Sequence, residues 1–127
     1  EGNRERVLTA PVTLVLAADT GFHQHIGTLA PHMAHMAPAF DANAGMRAGI
    51  ARNNSWLQAG YLIIALRAVG LAAGPMAITD SAGLDADLLA GTGWESFLVV
   101  NVAQADGSDT PFARAARLDW DQATRTV

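Results

Sequence analysis

The stretch Met46–Met76, MRAGIARNNSWLQAGYLIIALRAVGLAAGPM, decides the fold. It reads as one long helical pattern ending in a glycine–proline turn. Ile50, Leu57, Ile64 and Leu71 recur every seven residues, and Asn54, Tyr61 and Ala68 follow the first three by four, on the same side. Between Trp56 and Ala73 only Gln58 and Arg67 interrupt an apolar or small-residue surface. A helix that is apolar on nearly all sides is buried on nearly all sides, by its own domain or by a partner subunit. It is therefore expected at the centre of the molecule. Asp41 or Asn43 is placed to cap its start, and Pro75 cannot continue its ladder, which puts the end between Gly70 and Gly74.

Working outward, Val12–Ala18 (VTLVLAA) is a continuous apolar run rich in β-branched residues and reads as a strand covered on both faces. Asp19-Thr20-Gly21 closes it with turn chemistry. From Phe22 to Asn43 the signal is poor: Pro31 and Pro38 punctuate short helical turns, with Met33, Met36 and Phe40 as apolar anchors. Beyond the long helix, Ala77-Ile78-Thr79 reads as a short strand or extended crossover. Asp80 or Ser81 caps a short helix carrying Leu84, Leu88 and Leu89, ended by Gly91 and Gly93. Ser96–Ala103 (SFLVVNVA) is the second strand, Asp106-Gly107-Ser108-Asp109 a turn, and Asp119 the cap of a short helix around Trp120. Strands separated by helices give an α+β or α/β arrangement in layers, in one domain spanning residues 1–127.

Composition narrows the function. The chain of 127 residues is half apolar and 16% charged, which suits a folded domain with apolar surface to spare for an oligomer interface. A net charge of −4 gives no footprint for nucleic acid or an anionic membrane. The apolar run of the long helix is shorter than the roughly 20 residues a bilayer requires. The lack of cysteine excludes thiolate metal sites and cysteine nucleophiles, and fits a cytoplasmic protein.

His23/His25 and His32/His35 carry no carboxylate at ligand spacing, so no metal is expected and loop packing is the preferred reading. Ser55 and Ser96 fall inside a helix and a strand rather than on a nucleophile elbow. No carboxylate pair suits glycoside hydrolysis, and no glycine-rich dinucleotide loop follows the first strand. No side chain is assigned a catalytic role, and whatever chemistry occurs belongs to a cofactor. The segment Gly70–Ile78 is the more suggestive one. A glycine-rich exit from a buried helix exposes backbone N–H groups beside an apolar wall, which suits the edge of a planar heteroaromatic ring, although an ordinary helix cap gives the same pattern. Arg114 and Arg117 lie at either end of one short turn and could bind a phosphate bidentately; taken alone, solvated surface arginines are the simpler reading.

Leu8–Thr13 (LTAPVT), Arg52–Met76 (RNNSWLQAGYLIIALRAVGLAAGPM), Asn101–Asp106 and Ala113–Ala123 (ARAARLDWDQA) occur together in an order and spacing that resembles the FMN-dependent nitroreductase family, in particular its malonic semialdehyde reductase-like branch. The resemblance covers essentially the whole chain. It implies an α+β, three-layer sandwich in which the long central helices pack across the two-fold of a homodimer, with FMN at the interface. It further implies NAD(P)H as co-substrate and ping-pong reduction of a small-molecule acceptor such as an aldehyde, nitroaromatic or quinone. Residue by residue, it places Gly74, Pro75 and Met76 against the flavin ring, the backbone of Ala77 and Ile78 at its N5 edge, and Arg114 and Arg117 at the phosphate. Phe40 matches a substrate-stacking aromatic.

Two departures accompany the resemblance. Ile78 stands where the family has glycine, and a β-branched residue there would resist positive φ and crowd the ring. Nothing ahead of Leu8 matches the family's N-terminal helical segment with its Arg/Ser cluster, so the chain reads as the C-terminal portion of such a fold. The alternative reading is a non-catalytic dimeric domain of the same fold without a working flavin site.

Overall fold

The computed structural model describes residues 2–105 and 114–127. The turn expected at Asp106–Asp109 lies outside them. Three strands form one antiparallel sheet: β1 (Val12–Asp19), β2 (Leu71–Met76) and β3 (Trp94–Gln104), in the order β1-β3-β2. Both apolar runs read from the sequence are strands, and they pair with each other, Val12 opposite Val102 and Asp19 opposite Trp94, with an irregularity between Leu16 and Ala17. Alternate residues of a strand share a face. Leu98, Val100 and Val102 of β3 are buried, and with Ala59 and Ala73 they form the core, flanked by Leu14, Leu16, Ile63 and Leu66. Val100 is its fully buried centre.

Helices complete the α+β architecture. α1 (Gly2–Thr9) precedes β1. Its polar sequence gives no apolar stripe, which is why periodicity did not reveal it, and Asn101 Nδ2 on β3 ties it down by donating to the Arg6 carbonyl at 2.7 Å. Between β1 and the long helix the chain makes 3-10 turns at Phe22–His25 and Pro31–Met36 and short helices α2 (Ile26–Leu29) and α3 (Ala37–Ala42). The long helix, α4, runs from Ala44 to Ala68. Asn43 is its cap, accepting the Met46 N–H at 3.0 Å. Asp80 caps α5 (Ser81–Leu88) by accepting the Gly83 N–H at 2.9 Å. Asp119 and Gln122 form a reciprocal capping box on α6 (Trp120–Ala123).

One element differs from the sequence reading. The helix stops at Ala68, and Leu71–Met76 are strand rather than its last turns. Gly70 adopts φ 82°, a left-handed conformation that glycine takes without penalty, and it turns the chain back along the sheet. Leu71 then lies opposite Gln104 and Met76 opposite Val99. Alanine and glycine carry no period of their own, so pairing with β3 decides their state. Pro75 is tolerated because β2 is an edge strand, where a missing N–H need cost no ladder bond. Ala77–Thr79 are loop, not strand.

Candidate functional site

The segment matched to the flavin ring begins on the edge strand. Gly74 and Pro75 are exposed, Met76 and Ile78 half-buried, and Ala77 exposed. The Gly–Pro step is thus part of β2 and not a bend leaving the helix. Space at Gly74 is open: an added Cβ would meet only Asn101, at 3.9 Å. Past Met76 the pairing with β3 ends, and none of the turn, loop or cap backbone bonds among the described residues involves Ala77 or Ile78. Backbone N–H groups that bond to none of the described residues therefore follow directly on an accessible strand. Among the described residues no non-glycine adopts positive φ, so Ile78 sits in an ordinary backbone conformation and carries none of the strain expected of it.

The other matched residues fall elsewhere. Arg114 and Arg117 are exposed in the extended tail before α6. Arg117 folds onto its own backbone, its Nη1 donating to the carbonyls of Ala115 (2.8 Å) and Ala116 (3.2 Å). Neither arginine forms an ion pair or hydrogen bond with residues 74–78 among the described residues. Phe40 is corrected by the structure: at 4% exposure it is part of the packing, edge-on to Phe22 at 5.5 Å, and offers no open face for stacking a substrate. Its loop is apolar enough to fold inward, a contact that single-residue reading cannot see.

Two recesses went unnoticed in the sequence. One, about 450 Å³, lies between α4 and the sheet against Gln58, Leu62, Leu89, Trp94 and Phe97. The other, about 310 Å³, lies at the Asp19–Trp94 end of the sheet and is lined by His23 and Arg47 among others. His23 Nε2–H donates to Asp41 Oδ1 at 2.7 Å. No group of three or more His, Cys, Asp or Glu among the described residues is placed to hold a metal ion. Ser96 is buried inside a strand, with its N–H donating to Asp85 Oδ1 at 3.0 Å and its hydroxyl unpartnered. No helix among the described residues is long and apolar enough to cross a membrane.

The long helix shows its largest side chains on the outside. Leu57, Tyr61 and Ile64 are 66%, 75% and 67% exposed in the single chain, while Ala51 and Ala59 are buried. The chain itself thus covers the side of α4 that carries Ala51, Ala59, Ile63 and Leu66 and leaves Leu57, Tyr61 and Ile64 open.

This architecture is a nitroreductase fold. A nitroreductase family protein of Streptococcus pneumoniae superposes with a TM-score of 0.80 at 20% identity, over 99% of this chain and 69% of that one. In sequence, a protein of Leptothrix cholodnii named "Putative NADH dehydrogenase/NAD(P)H nitroreductase" is 44% identical over 97% of this chain and 62% of its own length. One of the same name from Streptomyces coelicolor is also 44% identical, over 97% of this chain and 60% of its own. The chain thus spans about six tenths of the length of these curated relatives. No protein-family model matches it. The fold is thus that of the nitroreductases, and the relatives in sequence are named as NAD(P)H nitroreductases.

Proposed function

We propose that this chain is the C-terminal portion of an FMN-dependent NAD(P)H oxidoreductase of the nitroreductase family, working as a homodimer. On this reading the acceptor is a small aldehyde, nitroaromatic or quinone, as in the malonic semialdehyde reductase-like branch. The observation that carries it is the Gly74–Ile78 segment: an accessible edge strand running into unpartnered backbone donors, in a chain 44% identical to a protein named as an NAD(P)H nitroreductase.

When bound, FMN supplies two-electron hydride chemistry, which NAD(P)H and the acceptor use in turn in one pocket. The chain's own part is positional. Gly74 leaves room for a ring to lie close, and Pro75 keeps that strand stiff. The N–H groups of Ala77 and Ile78 would hold the edge of a bound ring and would favour negative charge there. Arg114 and Arg117, in the tail of either subunit, offer guanidinium forks to a phosphate. The exposed Leu57, Tyr61 and Ile64 of α4 are the surface a second copy covers, closing the slot against water.

Titrating the purified chain with FMN tests the cofactor. A shift and narrowing of the flavin absorbance bands, with one FMN bound per chain, is the expected result; free-flavin spectra at every ratio overturn the reading. The second reading, a non-catalytic dimer of the same fold, is favoured by one observation, Ile78 in place of glycine. Oxidation of NAD(P)H by the FMN-loaded protein with a quinone or nitroaromatic acceptor removes it.

A further inference from the structure

Thr13 of β1, Asn101 of β3 and Gly74 of β2 stand opposite one another on a single rung of the sheet. Cross-strand partners share a face. This face is the one turned away from the core, because Val100 and Val102, on either side of Asn101, point into it.

The amide of the middle residue is engaged at both ends. Thr13 Oγ1–H donates to Asn101 Oδ1 at 2.9 Å, and Asn101 Nδ2 donates to the Arg6 carbonyl of α1 at 2.7 Å. The first bond draws the amide toward β1, on the opposite side of β3 from Gly74. The space over the glycine records the result. A Cβ built on Gly74 comes within 4 Å of the Asn101 Cβ and carbonyl oxygen, both at 3.9 Å, and of no atom of the amide. Freed of its bonds, the asparagine has other staggered rotamers to choose from, and a glycine neighbour has no side chain to exclude the one that leans across it. The second bond anchors α1, whose residues 3–9 are exposed and gain little from burial.

We propose that Asn101 is a positioning residue for a planar ring seated over Gly74. Held by Thr13 and Arg6, its amide keeps clear of the glycine and fixes α1 on the face where the ring lies. The inference rests on the flavin reading of the Gly74–Ile78 segment and adds Thr13 and Asn101 to it. Clearance of the seat then depends on one hydroxyl: a valine at position 13 keeps the β-branch of threonine but has no proton to give.

Titrating the purified chain with FMN, followed by absorbance and by quenching of flavin fluorescence, tests it in the wild type, Thr13→Val and Thr13→Ser. Thr13→Val is expected to bind FMN roughly tenfold more weakly, the worth of one lost hydrogen bond, and Thr13→Ser to bind like the wild type. A purely structural role for the bond would lower the melting temperature of Thr13→Val without moving its affinity. Undiminished binding by a folded Thr13→Val variant overturns this inference and leaves the flavin reading standing. No FMN bound by the wild type overturns both. Should Thr13→Val fail to fold, the side-chain amide signals of Asn101 in wild-type NMR decide: a ring seated beside them shifts them, and signals that hold still at saturating FMN overturn the inference.

Discussion

The two sides of α4 invert the usual amphipathic helix. Its covered side buries the small residues Ala51 and Ala59 and half-buries Ile63 and Leu66, and Ala59, Ile63 and Leu66 pack against Leu98, Val100 and Val102 of β3. Its open side carries Leu57, Tyr61 and Ile64, while Trp56 lies edge-on to Phe97 of β3 at 4.8 Å. Small residues let the helix axis approach the sheet closely, while large apolar ones on the far side are expensive to leave in water, at about 1.5–3 kcal/mol for each fully buried side chain forgone. The difference teaches that one helix carries both part of the chain's own core and a bulky apolar surface that the chain itself leaves open, the surface a second copy would cover on the proposed reading.

Substitutions that place the same charge on each side separate the two roles. Ala59→Asp puts an unpaired carboxylate into the core and is expected to cost several kcal/mol, most of a domain's stability, read as loss of the cooperative thermal transition. Ile64→Asp, five residues further along on the open side, is expected to dissociate the proposed dimer by light scattering while helical circular dichroism persists, because the single chain leaves Ile64 67% exposed. A folded, monodisperse Ile64→Asp dimer would show that this side is not the interface. Val100→Ala, on the wall facing the small residues, should lower stability by about 2 kcal/mol in denaturant titration. Asn43→Ala removes the cap common to both sides and should cost about 1 kcal/mol, visible as a lower melting temperature.

What the sequence shows and hides follows from range. Val12–Ala18 and Ser96–Ala103 were legible because β-branched runs bounded by turn residues carry their own signal. Asn43, Asp80 and Asp119 were legible because a cap acts within three residues. Leu71–Met76 was not: its state depends on Val99–Gln104, a partner distant in sequence, and its alanines fit either structure. The same holds for the sites. The Gly74–Ile78 segment was noticed through its composition, yet its place on an edge strand was not. His23 and Asp41, 18 residues apart, gave no pattern at all, since only folding brings their side chains together. The burial of Phe40 against Phe22 was hidden for the same reason.

Pro75 has a consequence for the molecule in a crowded solution. A sheet of three strands leaves its outer margin open to strands from other molecules, the geometry from which fibrils grow. An imide nitrogen at the fifth position of that six-residue margin withholds one donor from any such newcomer. The residue that lines the proposed ring slot thus also guards the rim of the sheet against self-association of the wrong kind.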